Sequence, residues 1–238
     1  NNFDPITIET LSFIEQVSDF NGYLDDPSNL LDFKDIIASS AAMTAIAESS
    51  TAMSAVAASS TAMSAIAASS TAMSAIDAND QAVRIWMLAG TGQNYANFAS
   101  VTAVAASSTA MSAIAASSTA MNAVNASQTA MDAIYASALV TKVNYGLAAT
   151  WASEVTIRSG AGLFVRLTTF GNGGGWGEGN TGSEWIEYDG ADVYYSERGA
   201  NPYNHTALTA SPRHPMRKFN SSLKYRGYAA VEIAYIQL

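Results

Sequence analysis

The sequence predicts an α+β protein, and three patterns along its 238 residues support this class. A ten-residue motif, TAMSAIAASS, recurs with few changes through residues 38–138. In residues 139–238 several short segments alternate apolar and polar residues with a period of two, as strands with one buried face do. Glycine, tyrosine and tryptophan are enriched in that same part. We therefore expect helical repeats followed by a small antiparallel β domain.

Composition divides the chain into five segments. Three of them differ from the repeats: an acidic N-terminal segment, an interruption between two repeat blocks and a C-terminal domain. The segments are 1–37 (N-terminal), 38–78 (first repeat block), 79–100 (interruption), 101–138 (second repeat block) and 139–238 (β-rich C-terminal domain).

The repeats favour α-helix. Methionine recurs every ten residues from Met43 to Met73, and Ile or Val follows three residues later. Ten helical residues turn through about 1000°, so this stripe would slip by about 80° per repeat along one straight helix. One such helix cannot bury its stripe alone, so we expect several chains to wind together in a coiled-coil-like shaft. The Ser-Ser-Thr runs oppose a continuous helix and are candidate N-caps wherever it breaks.

A β-solenoid is the alternative for the repeats. Each decad divides into two pentads, TAMSA and IAASS, and a square solenoid turns one central residue inward every fifth position. This weakly resembles the pentapeptide-repeat family, whose central residues are usually Leu or Phe. Alternating Met with Ala would leave one wall of each coil thin, and strict phasing of Met and Ile disfavours disorder. The sequence leaves helix and solenoid both open.

The C-terminal domain contains period-two segments and turn signals. Asp189-Gly190 separates two of these segments and is a strong hairpin signal. In the last segment Val231, Ile233 and Tyr235 share one face. The glycine run 171–182 lacks the Gly-Lys-Ser/Thr of a nucleotide loop. The expected strands are 154–158, 163–170, 184–188, 191–195 and 228–238.

Composition argues against several functional classes. The net charge of −9 disfavours a nucleic-acid partner. The chain has no cysteine, two histidines and no metal-ligand motif. Residues 49–76 are uncharged, but their frequent Ser and Thr disfavour membrane insertion. We expect no catalytic residue, no metal and no cofactor, and we predict that the protein is not an enzyme.

Carboxylates beside tryptophan and tyrosine suit sugar recognition, because aromatic faces stack on sugar rings while acids accept from hydroxyls. Residues 178–197 hold acids without a base, and residues 213–226 hold bases without an acid. The structural alternative is that these two segments pair with each other and that the aromatics form a core. The predicted ligand-binding residues are Trp176, Trp185, Glu187, Tyr188, Asp189, Tyr194, Tyr203 and His205.

Tandem SSTAMSAI and SQTAMDAI units before a glycine- and aromatic-rich β tip resemble the tail fibres of tailed bacteriophages. The resemblance implies an elongated homotrimeric fibre located in the virion and assembled in the host cytoplasm. It also implies that residues 1–37 attach to other virion proteins and that the distal end binds a host surface glycan or protein receptor. This chain is short and lacks the His-x-His motif of some long fibres.

Other functions stay open at this stage. The chain is alternatively a purely structural or assembly fibre, such as a collar or head appendage, without receptor binding. A lesser alternative is a polysaccharide depolymerase tip that uses Glu184 and Glu187, beside Trp185. Regular threonines also suggest ice binding, although a twisting helix would not keep their rows flat.

Overall fold

The computed structural model describes residues 11–15, 19–145, 154–169, 185–194, 215–226 and 231–238. The chain divides into two compact units, a helical unit of residues 1–133 and a β unit of residues 134–238. In its described part the β unit forms two antiparallel sheets. The predicted α+β class is therefore confirmed.

The helices are short and follow one another closely. Residues 11–15 are helical, a 3₁₀ helix spans Tyr95–Asn97, and the last α-helix ends two residues inside the β unit. The α-helices are α1 (Phe20–Tyr23), α2 (Pro27–Ala38), α3 (Ser40–Glu48), α4 (Ser50–Ala58), α5 (Ser60–Ala67), α6 (Ser70–Asp77), α7 (Asp80–Met87), α8 (Val101–Ala105), α9 (Ser108–Ala116), α10 (Ser118–Ala126) and α11 (Gln128–Tyr135).

Each intact decad forms one helix of eight or nine residues. Serine begins each of these helices: at Ser49 the backbone is extended, with φ −96° and ψ 112°, and the hydroxyl accepts from Ala52 N at 3.2 Å. A hydroxyl that caps the next helix competes with continuation of the previous one. The predicted helices and caps are confirmed, whereas the β-solenoid alternative is wrong. In the described part of the repeats every helix ends at a decad boundary, so no single continuous helix runs through a block. Assembly of several chains into a coiled-coil-like shaft stays a prediction.

The breaks allow the chain to bury its own apolar stripe. In the first block Met53 and Val56 are 0% exposed, and even Met73 is only 7% exposed. A new helix begins after each capping serine. The rotation of the apolar stripe by about 80° per decad, expected for one continuous helix, therefore does not add up from decad to decad. The expectation that a lone chain cannot bury this stripe was therefore wrong.

Helices three positions apart stack on one another between α3 and α7. α3 contacts α6 and α4 contacts α7, in addition to contacts between consecutive helices. The capping serines link the layers: Ser59 Oγ donates to Asn21 Oδ1 at 3.0 Å, and Ser69 Oγ donates to the Ile37 carbonyl at 3.2 Å. The capping serine that comes later in the chain, Ser69, bonds to the partner that comes later in the chain, Ile37. Successive layers therefore run in the same direction.

After the interruption the chain packs in the opposite direction. Gly90 follows α7, and a side chain there would lie 3.2 Å from Ser117 Oγ at the start of α10. Trp86 Nε1 donates to the Ala123 carbonyl at 2.8 Å. Asp77, just before α7, accepts from Ser127 Oγ at 2.5 Å. As the residue number falls along α7 it rises along α10, so these helices are antiparallel.

Arg84 holds the loop that makes this reversal. Its Nη1 donates to the carbonyls of Tyr95 at 3.2 Å and Phe98 at 2.6 Å, while Nε pairs with Asp80 at 2.8 Å. Asp80 also accepts from Val101 N at 2.9 Å, where α8 begins. The interruption is thus an ordered turn of the chain.

The described residues of the β unit form two four-stranded sheets, in the orders β1-β8-β3-β6 and β2-β7-β4-β5. All the strand pairs are antiparallel. The strands are β1 (Val140–Tyr145), β2 (Val155–Ser159), β3 (Gly162–Thr169), β4 (Trp185–Tyr188), β5 (Ala191–Tyr194), β6 (Arg217–Phe219), β7 (Ser222–Arg226) and β8 (Val231–Gln237).

Residues of both sheets share one core. Phe164, Phe219 and Ile233 come from the first sheet, and Ile186 and Leu223 come from the second. The chain crosses between the sheets from β2 to β3 and from β6 to β7, and these two turns meet where Gly160 N donates to the Ser221 carbonyl at 2.7 Å. Five predicted strands are confirmed within a few residues, whereas β1, β6 and β7 were not predicted.

The closing strand β8 is buried on both faces, since Ile233 and Ala234 are each 0% exposed. Lys142 and Arg166 both pair with Ala234 in the strand register. The Tyr135 ring contacts both cations, with Lys142 Nζ 3.7 Å and Arg166 Cζ 3.9 Å from its centre. Tyr135 Oη donates to Glu232 at 2.5 Å.

No helix in the described part of the chain is long and apolar enough to cross a membrane.

Candidate functional site

The eight predicted ligand-binding residues fall into three groups. Trp176, Tyr203 and His205 lie outside the described residues. Trp185 and Tyr194 are paired in the β4–β5 register, and the structure describes their backbone but not their side chains. The remaining three, Glu187, Tyr188 and Asp189, can be placed in full and occupy consecutive positions at the end of β4.

Tyr188 belongs to the core of the β unit. It is 5% exposed, and its ring packs edge-on against Phe164 with ring centres 5.6 Å apart. Arg217 Cζ lies 5.6 Å from the ring centre. Little of this side chain is left to stack on a sugar, so its position gives it a structural role.

Asp189 fastens the β4–β5 turn to the β6–β7 turn. Its φ of 53° and the φ of 84° at Gly190 are the paired positive values of a tight hairpin turn. The carboxylate accepts from the backbone N–H groups of Asn220, Ser221 and Ser222 at 2.6 to 3.1 Å. Partial burial raises the pKa of Asp189, but these hydrogen bonds outweigh it and lower the pKa to about 2.

Glu187 takes part in an ion-paired row across the second sheet. Lys224 lies opposite it in the strand register, and Lys224 Nζ is 2.8 Å from Glu187 Oε1 and 2.8 Å from Glu154 Oε1. Only the contact with Glu154 also has hydrogen-bond geometry, so Glu187 is held as an ion pair. The two carboxylates keep the pKa of Lys224 above its usual range.

These contacts favour the structural interpretation for the placed residues. The acidic segment does pair with the basic segment, at Glu187–Lys224 and at Asp189–Ser221, and Tyr188 is core. That the eight residues bind a ligand stays a prediction, and its best remaining candidates are the five whose side chains lie outside the description.

A different candidate lies in the N-terminal helices, where an apolar cavity of about 270 Å³ is found. Phe13, on its lining, is 43% exposed, so the cavity opens to solvent. Two buried rings form the inner side of the cavity: Phe20 and Phe33 pack edge to face with ring centres 5.4 Å apart. The apolar lining is formed by Phe13, Ile14, Phe20, Tyr23, Phe33 and Ile36.

Two polar residues complete the lining. Asn29 Nδ2 donates to the Tyr23 carbonyl at 2.9 Å, so it braces the wall. Asp32 has no hydrogen-bond or ion-pair partner among the residues that the structure describes. The exposed carboxylate of Asp35 lies on the same helix, α2, and that of Asp25 lies in the turn before it. An apolar cavity with a free carboxylate can bind an apolar group that carries positive charge.

Sequence reasoning assigned residues 1–37 to attachment but did not find this cavity. The available signal was the set of aromatic residues at mixed spacing, Phe13, Phe20, Tyr23 and Phe33. Mixed spacing gives no single helix face, because these rings lie on separate helices: residues 11–15, α1 and α2, with a turn over residues 24–26. Only packing reveals that the rings converge.

Within the described ranges no cluster of three or more His, Asp or Glu side chains could hold a metal ion. Neither a scan against protein-family models nor a search of curated proteins gives a match for this chain.

Proposed function

We propose that this chain is a structural, non-enzymatic component of a bacteriophage virion. Its N-terminal segment 1–37 attaches to other virion proteins, the decads form a scaffold, and residues 139–238 contact a glycan or protein receptor on the bacterial surface. One observation carries the proposal: two serines of each decad in the first block use their hydroxyls within the helical unit, one as a helix cap and one on its own helix. Few strongly polar groups of the decads are then left for recognition, which assigns partner binding to the flanking segments.

The hydroxyls of the scaffold support this division of roles. Ser54, Ser64 and Ser74 each donate to the carbonyl four residues earlier, at 2.7 to 2.8 Å. The capping serines accept from the next helix, and some also donate to an earlier layer. A surface of alanine and internally bonded serine offers few groups for recognition, which suits a scaffold.

Homotrimeric assembly is part of the proposal, and it rests on the resemblance to tail fibres. Burial of the Met/Ile stripe within each chain means that the helical unit does not need a second chain for its core. Light scattering of the purified chain tests the trimer directly. A mass of three chains supports it, and a mass of 24.9 kDa, that of one chain, contradicts it.

Receptor binding is tested with the full chain and living bacteria. We expect the labelled protein to bind a susceptible strain, and substitution of Trp176 and Tyr203 by Ala to reduce binding at least about tenfold, as loss of aromatic anchors does at interfaces. Tyr95→Ala, an aromatic substitution in the helical unit, is the matched control and should leave binding unchanged. Unchanged binding by the double variant would reject this site assignment.

A purely structural role without receptor binding is the second candidate. The observation in its favour is that Glu187, Tyr188 and Asp189 already have partners within the β unit. If the folded, full-length protein binds no bacterial strain and no glycan on an array, this second function is preferred.

A depolymerase tip is the lesser alternative. Glu184 lies outside the described residues, and Glu187 Oε1 contacts Lys224 at 2.8 Å instead of facing open space. Release of oligosaccharide from bacterial polysaccharide, lost in Glu184→Gln or Glu187→Gln, would support hydrolysis against the non-enzymatic proposal.

A further inference from the structure

We propose that the N-terminal cavity is a docking site for a cationic protein segment that inserts one aromatic or aliphatic side chain. This inference rests on the proposed function, because it gives the chemistry of the partner to which residues 1–37 attach. It is argued from three properties of the cavity: its size, its exposed apolar wall and the charge around it.

The size suits a single large side chain. An apolar cavity of about 150 Å³ admits benzene, so the cavity of about 270 Å³ has room for an indole or a leucine side chain. The rings of Phe13 and Tyr23, with centres 4.7 Å apart, form a wall on which an aromatic group can pack.

Exposure of the apolar wall to water is unfavourable in free energy. Phe13 is 43% exposed, and Leu31 is the other large apolar side chain described as exposed, at 62%. Covering apolar surface is favourable by about 25 cal/mol per Å². Phe13 differs from Leu31 because it lines a cavity, whereas Leu31 does not. A partner therefore gains more at Phe13 than from general contact with the surface.

Charge decides what kind of partner fits. Residues 11–37 carry six acids and one base, for a net charge of −5. Glu15 accepts from Ser49, and Asp19 and Asp26 cap helices, but Asp32 at the cavity has no partner among the described residues. A second copy presenting this same surface would bring like charge, which is unfavourable. Lysine or arginine beside the inserted side chain would complete the contact.

The test uses the full chain and three small probes that share one ring: tryptamine, indole and 3-indolepropionate, which are cationic, neutral and anionic at neutral pH. We expect all binding to map to the cavity in NMR titrations. Tryptamine should bind about fivefold to tenfold more tightly than 3-indolepropionate at low salt, as expected for an exposed charge pair, and the difference should shrink in high salt.

Matched variants separate the two parts of the site. Phe13→Ala should weaken all three probes, and Leu31→Ala should weaken none. Asp32→Asn should remove most of the tryptamine preference while indole binding stays the same. Asp25→Asn, at an acid that does not line the cavity, should keep that preference. Equal affinities for the three probes, or no binding, would overturn the inference.

Two other occupants give distinct results. If probes bind only when Phe3, Ile6 and Ile8 are replaced by Ser, the chain's own first residues fill the site and the inference is wrong. It is also wrong if the protein self-associates and Asp32→Asn abolishes that association. Receptor binding depends on the β unit in the proposed function, so either proposal can fail without the other.

Discussion

The helical unit and the β unit are stabilised in different ways. In the helical unit one arrangement recurs: a serine caps each decad helix, and Met and Ile or Val pack beneath it. In the β unit each device occurs at a single place, such as the carboxylate of Asp189 that joins two turns. Repetition distributes stability over many similar contacts, whereas the β unit depends on particular ones.

The largest expected loss of stability comes from a residue of the helical unit that does not repeat. It would show that this unit, like the β unit, also depends on a particular contact. Trp86 is 0% exposed and donates to the Ala123 carbonyl across the antiparallel helices. Trp86→Ala should lower the free energy of unfolding of the helical unit by about 3–5 kcal/mol, measured by urea denaturation followed at 222 nm. Trp86→Phe keeps most of the volume but not the donor and should cost about 1–2 kcal/mol. Equal losses would show that the hydrogen bond, not the volume, matters.

The next prediction compares two methionines at the same decad position. Met53 is 0% exposed, whereas Met121 is half-buried on α10. Met53→Ala should cost about 2–4 kcal/mol and Met121→Ala about 1 kcal/mol or less, because cavity formation scales with burial. If the two variants unfold at the same urea concentration, the decads are equivalent and the reversed packing of the second block does not change their contribution.

A smaller effect tests the repeated cap itself. Ser59 is fully buried, accepts from Ala62 N at 3.1 Å and donates to Asn21 at 3.0 Å. Ser59→Ala should cost about 1–2 kcal/mol. Ser60→Ala, at the exposed neighbouring serine, should change stability by less than about 0.5 kcal/mol. A harmless Ser59→Ala would mean that the serine caps are dispensable.

The smallest expected effect lies in the β unit and depends on pH. Hydrogen bonds lower the pKa of Asp189 to about 2 in the folded protein, against about 3.9 in the unfolded chain. Its stabilisation is thus complete above about pH 4 and is lost as the pH falls towards 2. Asp189→Asn keeps a residue tolerant of positive φ and should cost about 1 kcal/mol at neutral pH.

Thermal unfolding of the β unit, followed by near-ultraviolet circular dichroism between pH 2 and 7, measures this effect. The gap between the protein and the Asp189→Asn variant should close at the acidic end. A constant gap would show that the charge of Asp189 is irrelevant.

The fold was predictable from the sequence where its cause is local. The helices, their serine caps and the Asp189-Gly190 hairpin each depend on residues within one turn of each other. β6 and β7 were not predicted, because they lie in a basic segment with a short apolar pattern and are stabilised by strands distant in sequence. The predicted site was tested least: five of its eight side chains lie outside the described residues, and the other three form structural contacts.

By itself the sequence determined the period of construction: an apolar pair and a candidate serine cap recur every ten residues, because capping and side-chain periodicity act over a few residues. That each decad forms one separate capped helix is seen only in the structure. Only the tertiary structure decided where each stripe is buried, that the second block runs against the first, and that the rings of Phe13, Phe20, Tyr23 and Phe33 line one cavity. These features arise from contacts between residues far apart in the chain, and the same decad is compatible with burial inside one chain or between several. Packing of the folded chain selects between them.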